Sequence, residues 1–307
     1  MKHVLVTGAA GFIASTLAKE LQKMGYIVVT VDNLTTGFRS NIPEGVIFVE
    51  GNCQDEKIIN SLANYNFEAI FHIAGQSSGE ISFDNPIYDL ESNASSTLLL
   101  LKLALKIGCK KVLYASTMSI YGYLGEHAVH EDEEKTPKSF YGVGKLASEH
   151  YLRLYAQYGI DSFAMRLFTV YGPGQNMDNL RQGMVSIFLA QAFTNGDIQI
   201  KGDLNRYRDF IYIDDVVSAF ISAFKSNLTG YNYFNVSTGQ KTTVGELISL
   251  MVSFFPNKIT QKIEGKTEGD ILGIHGDNNK IKKHLNWEPK YTLSVGLKKM
   301  YDWLVSR

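Results

Sequence analysis

The stretch His3-Val-Leu-Val-Thr-Gly8-Ala-Ala-Gly11-Phe-Ile-Ala14 decides the fold of this chain. A short apolar run ends in a turn whose small residues are Gly8, Gly11 and Ala14, and a helical pattern follows over 12–24. Small residues between a strand and a helix let the backbone and the helix N-terminus approach a pyrophosphate. The spacing is GxxGxxA rather than GxGxxG, and alone it is also compatible with a plain strand-to-helix connection.

Strand-like apolar runs alternate with helical segments through the first half of the chain. Further strands are predicted at 26–31, 46–49, 69–73, 111–115, 162–167 and 233–236, and a helix at 92–107. This alternation predicts an α/β fold, a Rossmann-type doubly wound parallel sheet with helices on both faces. Turn residues cluster at Tyr171-Gly-Pro-Gly174, where we expect a smaller C-terminal α/β lobe to begin.

Asp32 ends the second predicted strand, where an acidic residue meets the adenosine ribose hydroxyls of NAD. Its carboxylate would repel the 2′-phosphate of NADP, although the nearby Arg39 is able to accept one. We therefore predict NAD as the cofactor, bound by a domain over 1–170 to which segments near 211–237 return, with a mainly substrate-binding lobe over 171–307. The cofactor-binding residues expected here are Asp32 and, in the glycine turn, Gly8, Gly11, Phe12 and Ile13.

A second group of residues predicts proton transfer. Thr117 lies in Ala115-Ser-Thr-Met-Ser-Ile-Tyr-Gly122, and Tyr141-Gly-Val-Gly-Lys145 follows. Tyr141 and Lys145 are one helical turn apart and face the same way. A phenol has a pKa of about 10, and lowering it to near 7 takes ~4 kcal/mol, which Lys145 and a positive nicotinamide are able to supply. We predict that Thr117 holds a reacting hydroxyl and that Tyr141 takes its proton.

At this point the chain resembles the extended short-chain dehydrogenases/reductases, in particular the NAD-dependent sugar-nucleotide epimerases and dehydratases of the UDP-glucose 4-epimerase type. The resemblance covers nearly the whole chain. It is carried by Asp32-Asn-Leu-Thr-Thr-Gly37, Asn52-Cys53, His72-Ile-Ala-Gly-Gln76, Asn93, Arg166-Leu-Phe-Thr-Val-Tyr-Gly-Pro173, Arg208-Asp-Phe-Ile-Tyr-Ile-Asp-Asp215, Gly269-Asp270 and Leu285-Asn-Trp-Glu-Pro289.

The resemblance implies further site residues and a homodimer. On the cofactor side it implies Asn33, Asn52, Cys53, Ala74, Gln76 and Asn93, together with Tyr141 and Lys145. On the substrate side it implies Thr117, Thr169, Arg208 and Asp270, of which Arg208 is expected to bind the substrate diphosphate. Thr169 stands where the family usually has Asn.

Two functions remain open on the sequence, and two others are disfavoured. Dehydratases of the family carry Asp-Glu directly after the catalytic Thr, and here Met118 and Ser119 cannot act as acid and base, so we disfavour a 4,6-dehydratase. The leading hypothesis is a sugar-nucleotide 4-epimerase that oxidises C4 transiently and returns the hydride to the other face. The alternative is an NAD(P)H-dependent 4-ketoreductase of a nucleotide-linked 6-deoxy-4-keto sugar. A non-catalytic dinucleotide sensor is disfavoured by the intact Thr117, Tyr141 and Lys145.

The composition excludes other classes of partner. The 307 residues have a formal net charge of -1, so nothing indicates binding to nucleic acid or to a membrane surface. Cys53 and Cys109 have no CxxC spacing, so neither a disulfide framework nor a metal site is expected. The N-terminus enters a strand at once and no run is long enough to span a bilayer, so we expect a cytoplasmic enzyme.

Overall fold

The structure is a computed structural model that describes residues 2–181, 183–265 and 271–307. The predicted substrate residue Asp270 lies outside the described residues. None of the described helices combines the length and the apolar character that crossing a membrane requires.

Among the described residues, parallel strands form one seven-stranded sheet in the order β11-β6-β5-β4-β1-β2-β3. Its strands are β1 (His3–Thr7), β2 (Ile27–Asp32), β3 (Ile47–Glu50), β4 (Phe67–His72), β5 (Lys111–Thr117), β6 (Asp161–Leu167) and β11 (Tyr231–Val236). The chain runs outward from β1 to β3 and then crosses back to β4, which pairs with the other side of β1. In sheets of this kind the ligand crevice opens where the strand order reverses, at the carboxyl ends of β1 and β4.

The central strands are apolar because both faces of the sheet are covered. On β1 the side chains alternate, so Val4 and Val6 belong to one buried cluster and Leu5 belongs to another. The first cluster includes Leu17 of the helix after the glycine turn, and the second includes Leu101 of the helix before β5. The predicted Rossmann-type doubly wound sheet is confirmed.

The helices of the described chain are α1 (Phe12–Lys23), α2 (Glu56–Ser61), α3 (Gly79–Asp84), α4 (Pro86–Leu90), α5 (Ser96–Ile107), α6 (Phe140–Ala156), α7 (Met184–Asn195), α8 (Ile213–Lys225), α9 (Val244–Val252), α10 (Asn279–Leu285) and α11 (Leu293–Val305). The helix predicted at 92–107 differs in its first turn. There a π-helical turn, Glu91–Ser95, joins α4 to α5. One extra residue in that turn changes which side chains point toward the sheet, and such turns are frequent at functional sites.

The later chain adds short strands beside the main sheet. They are β7 (Thr169–Tyr171), β8 (Asp197–Ile200), β9 (Tyr207–Arg208), β10 (Phe210–Tyr212), β12 (Thr242–Thr243), β13 (Thr260–Ile263) and β14 (Gly273–Ile274). They pair as β10-β7, β12-β9-β14 and β13-β8. The expected return to the main sheet occurs, since β11 pairs with β6 over its full length.

Candidate active site

A cleft of about 340 Å³ opens at the crevice between β1 and β4. Residues that follow β7 also line it, namely Gly174, Gln175, Asn176 and Asn179. Most of the predicted cofactor residues line it, namely Gly8, Gly11, Phe12, Ile13, Asp32, Asn33, Cys53, Ala74 and Gln76. The other predicted cofactor residues, Asn52, Asn93, Tyr141 and Lys145, are not among the residues that line this cleft.

The glycine turn requires glycine at its first position. Gly8 has a φ of +82°, and a Cβ on it would meet the backbone of Ala74 at 3.0 Å. The two strand ends therefore approach each other more closely than a larger residue permits. Gly11 is the N-cap of α1, and no side chain caps the helix there, so its first amides are available to an anion.

The carboxylate of Asp32 lines the cleft where the adenosine ribose is predicted to bind. Its Oδ2 accepts from the Ala10 amide at 2.9 Å and its Oδ1 accepts from the Leu34 amide at 2.8 Å. A carboxylate has about four lone-pair sites, so it is still able to accept from ribose hydroxyls. Arg39, the residue that argued for NADP, forms an ion pair with Glu50. These contacts fit NAD better than NADP.

Asn33 and Asn52 contact each other beside Asp32. The Asn33 Nδ2 donates to Asn52 Oδ1 at 2.6 Å, which orients the Asn33 side chain at the edge of the cleft. The neighbouring Cys53 is buried, and burial raises the pKa of its thiol to about 12, so the cleft presents a neutral sulfur there.

The predicted catalytic residues come together at the end of β5. Thr117 is the last residue of β5, and its Oγ1 accepts from the Ser119 amide at 3.1 Å. Ser139 caps α6 by accepting from the Gly142 amide, which places Tyr141 in the first turn of α6. Lys145 follows one turn later, with its Nζ donating to the Ala115 carbonyl at 2.9 Å and lying 5.8 Å from the Tyr141 ring centroid.

Burial dominates the electrostatics of this group in the protein alone. Burial raises the pKa of Tyr141 to about 12, although the Thr117 hydroxyl partly lowers it by hydrogen bonding. Burial also lowers the pKa of Lys145 to about 8, which a buried carboxylate, Asp89, partly opposes. The pKa near 7 predicted for the phenol requires both Lys145 and a positive nicotinamide, and in the protein alone desolvation dominates. The positive charge of an oxidised nicotinamide is the remaining source.

Two buried oxygen atoms without a hydrogen-bond partner support the fit to a ligand. They are Oε1 of Gln175, which lines the cleft, and Oδ1 of the fully buried Asn93, which does not line the cleft itself but lies beside Gly75, which does. Unpartnered buried acceptors are costly unless a ligand or water satisfies them. Together with the Gly8 turn and Asp32, they show that the described residues fit a dinucleotide with hydroxyl and amide donors.

The predicted substrate residues lie in the later chain. Thr169 begins β7, and its buried Oγ1 has no partner among the described residues. Arg208 is buried at the end of β9, and its Nη1 donates to the Tyr207 carbonyl at 2.7 Å. Neither residue lines the cleft of the cofactor, and their roles toward a substrate stay predictions.

Several residues that organise the site were not singled out from the sequence. Asp89 is 1% exposed and accepts from Gln76 and Asn93 beside Lys145. Glu149, one turn after Lys145 on α6, forms a buried ion pair with Arg166. An acidic residue at a helix position that otherwise faces the core is the signal that would have identified both.

With this geometry established, comparisons with known proteins identify the family. The model of the NAD dependent epimerase/dehydratase family matches residues 4–237. The UDP-glucose 4-epimerase of Mycolicibacterium smegmatis is 33% identical over 98% of both chains, and the UDP-glucuronate 4-epimerase of Thermodesulfobacterium geofontis is 31% identical over 99% of this chain and 96% of its own. The crystal structure of the Thermotoga maritima UDP-glucose 4-epimerase with UDP-glucose superposes with a TM-score of 0.94 at 33% identity, covering 99% of both chains.

These comparisons confirm the resemblance, the enzyme class and NAD as the cofactor. They cover the chain almost from end to end, so the likeness is not confined to the nucleotide-binding half. The chain belongs to the NAD dependent epimerase/dehydratase family.

Proposed function

We propose that the protein is a nucleotide-sugar 4-epimerase that acts on a UDP-hexose. The observation that carries this proposal is the grouping of Thr117, Tyr141 and Lys145 at the carboxyl edge of the sheet, beside a cleft that fits NAD. The relatives named as 4-epimerases of UDP-glucose and UDP-glucuronate support both the reaction and the uridine nucleotide.

Each residue of the group has a proposed role in proton transfer. Thr117 holds the 4-hydroxyl of the sugar through its own hydroxyl, and Tyr141 takes the hydroxyl proton as its phenolate. The Lys145 ammonium, held by the Ala115 carbonyl, favours that phenolate by its charge. NAD, when bound, supplies the hydride acceptor and returns the hydride. Tyr141 then gives the proton back to the oxygen at C4, so the protein returns to its starting state.

The residues after Thr117 argue against a dehydratase. Ser119 Oγ accepts from Thr117 Oγ1 at 3.2 Å, and Met118 packs against a small buried cluster that contains Ile120 and Phe168. Neither side chain is able to act as an acid or a base at neighbouring carbons of the sugar. The described geometry therefore serves a reaction that needs one hydride position and one proton position.

We propose that 171–307 mainly binds the nucleotide sugar, with Thr169, Arg208 and Asp270 contacting it, and that 1–170 with the returning segments binds NAD. We also propose a homodimer. Its interface would use the exposed apolar side chains on α4–α6, where Ile87, Leu90, Phe140, Val143 and Leu154 are between 49% and 63% exposed.

The first experiment denatures the purified protein and identifies the released nucleotide by mass and absorbance. Near-stoichiometric NAD is expected, because an epimerase restores its cofactor at every turnover. A protein that exchanges NADH or NADPH freely and consumes it with a 4-keto sugar would instead be a ketoreductase.

The second experiment assays interconversion of UDP-glucose and UDP-galactose, with UDP-glucuronate and UDP-N-acetylglucosamine as competing substrates. Tyr141→Phe is expected to lower kcat by about 10²–10⁴ while NAD stays bound. Tyr158→Phe is the matched control, since Tyr158 is 66% exposed and follows the C-terminal end of α6, whereas Tyr141 lies in its first turn. Unchanged turnover of Tyr141→Phe would refute the proposed mechanism.

A further inference from the structure

Asp89 is a buried carboxylate next to the proposed proton-transfer group. It lies in α4, one helical turn before Asn93, and it is 1% exposed. Its Oδ1 accepts from Gln76 Nε2 at 2.8 Å and from Asn93 Nδ2 at 3.3 Å. Burying a carboxylate is energetically unfavourable unless hydrogen bonds or an opposite charge compensate it. The burial of Asp89 beside this group therefore indicates a role in the site.

The hydrogen bonds of Asp89 decide which way the Asn93 amide faces. Asn93 Nδ2 donates to Asp89 and also to the Gln76 carbonyl at 3.0 Å. Because a carboxylate and a carbonyl only accept, the NH₂ group must face them and Asn93 Oδ1 must face away. Asn93 Oδ1 and Lys145 Nζ both lie within 3.5 Å of the position that a Cβ on Gly75 would take. The amide oxygen therefore lies beside Gly75, on the same side of that residue as the Lys145 ammonium region.

Asp89 also secures Gln76, which lines the cofactor cleft. Gln76 Nε2 donates to Asp89 and to the Ser78 carbonyl, and its Oε1 accepts from the Ser78 amide. With both ends of the amide occupied, the Gln76 side chain has one arrangement. Asp89 thus joins the strand end after β4 to the helix that faces Lys145.

We propose that Asp89 is a positioning residue for the reaction: its carboxylate holds the amides of Gln76 and Asn93 so that the Asn93 oxygen lies beside Gly75, and its negative charge acts on the Lys145 ammonium. This inference rests on the proposed function for the roles of Tyr141 and Lys145.

Among the described residues, Asp89 is the carboxylate whose charge acts on Lys145. The other groups around Lys145 are neutral. The Ala115 carbonyl accepts from its Nζ, and the rings of Tyr114 and Tyr141 lie 4.7 and 5.8 Å from it. His72 is neutral at ordinary pH, because burial, followed by the charge of Lys145, lowers its pKa to about 3. Asp89 Oδ2 lies 3.3 Å from the position that a Cβ on Gly144, the residue before Lys145, would take. Its charge raises the pKa of both Lys145 and Tyr141, each of which is otherwise shifted mainly by burial.

Removal of the Asp89 charge is therefore expected to shift the pKa values of Lys145 and Tyr141 in a defined direction. Without it, the pKa of Lys145 falls further below about 8, and the pKa of Tyr141 falls as well. Both limbs of a pH–rate profile would then move to lower pH together. A variant that merely loosens the fold lowers the height of the profile and leaves its limbs where they are.

The test uses cofactor binding, which needs no nucleotide sugar. Protein freed of co-purified nucleotide is titrated with NADH by fluorescence between pH 6 and pH 9.5. Because the Lys145 ammonium is expected to contact the cofactor, NADH affinity should fall with a midpoint near pH 8 in the unchanged protein. Asp89→Asn should shift the midpoint down by roughly one pH unit, a common effect of a neighbouring charge. At pH 8 its NADH affinity should be lower by up to about fivefold.

Two variants complete the test. Glu91→Gln removes an exposed charge two residues along the same helical stretch and should leave the midpoint unchanged. Asp89→Glu keeps the charge and should hold the midpoint of the unchanged protein, including where Asp89→Asn fails to fold. The inference is overturned if Asp89→Asn keeps its midpoint, if Asp89→Glu shifts it, or if NADH affinity has no such pH dependence. A protein that shows the shift but epimerises no UDP-hexose would refute the proposed function and leave this inference standing.

Discussion

Glu149→Gln tests how α6 is held against the sheet. Glu149 is 2% exposed, and its carboxylate accepts four hydrogen bonds. Two come from Arg166 on β6, at 3.0 and 2.7 Å, one from Ser116 Oγ at 2.5 Å and one from Tyr231 at 3.0 Å. Ser116 precedes Thr117, and Glu149 follows Lys145 by one turn. This ion pair therefore keeps the helix that carries Tyr141 and Lys145 in register with the end of β5.

The expected cost follows from the burial of the pair. An amide at position 149 leaves the Arg166 guanidinium, itself 3% exposed, without a compensating charge. Removing one partner of a buried pair costs about 3–5 kcal/mol of the free energy of unfolding. For a chain of 307 residues this corresponds to a fall in Tm of roughly 5–8 °C, if unfolding is one cooperative transition. The Arg166 side chain also donates to the Tyr121 hydroxyl and to the Glu131 carbonyl, but these neutral acceptors do not balance its charge.

The assay is urea denaturation followed by circular dichroism, supported by calorimetry. Asp302→Asn is the matched control, because it breaks the ion pair with Lys298 on α11, where both side chains are more than half exposed. It should cost less than about 1 kcal/mol. The double variant Glu149→Leu with Arg166→Met should cost less than the sum of the single variants, since no charge is left unpaired. A loss below about 1 kcal/mol for Glu149→Gln, or strictly additive single variants, would refute this reasoning.

Three further predictions follow from other parts of the molecule. Burial lowers the pKa of His72 to about 3, against 6.5 in the unfolded chain, so its contribution to stability is intact above pH 6.5 and is lost as pH falls toward 3. By urea denaturation, the free energy of unfolding should be ~2 kcal/mol lower at pH 5 than at pH 7 on this account. His72→Gln should lack this part of the loss. Asp32→Ser should lower the preference for NAD over NADP by about tenfold or more in binding titrations, whereas Arg39→Gln should leave the preference unchanged. Gly8→Ala should weaken NAD binding and cost ~1–3 kcal/mol, whereas Gly25→Ala, also at positive φ but facing open space, should bind NAD normally; equal NAD affinity of the two variants would contradict the close approach to Ala74.

The strands and the cofactor turn were predictable because their signals are local. A buried parallel strand reads as a continuous apolar run, and the predicted strands agree with the structure to within about two residues. The glycine turn and Asp32 are neighbours of strand ends, so their place at the cleft follows from the strand order alone. The grouping of Thr117, Tyr141 and Lys145 was equally accessible, because the spacing of Tyr141 and Lys145 is that of one helical turn.

Other features depend on contacts between distant parts of the chain. The high pKa of Tyr141 in the protein alone results from burial, which no spacing of residues reveals, and the predicted low value also requires the nicotinamide charge. The π-helical turn at 91–95 and the contacts of Asp89 are likewise invisible in a helical pattern.

By itself, the sequence determined the Rossmann-type sheet, the cofactor turn and the three residues of the proposed proton transfer. Each of these follows from hydrophobic periodicity or from a short spacing along the chain. Both determine directly where a residue lies within its own strand, turn or helix. Only the tertiary structure decided the electrostatics of the site: which carboxylate faces Lys145, how deeply the phenol is buried, and which ion pair holds α6. Charges act through space and desolvation depends on every neighbour, so these properties appear only when the strands and helices are packed together.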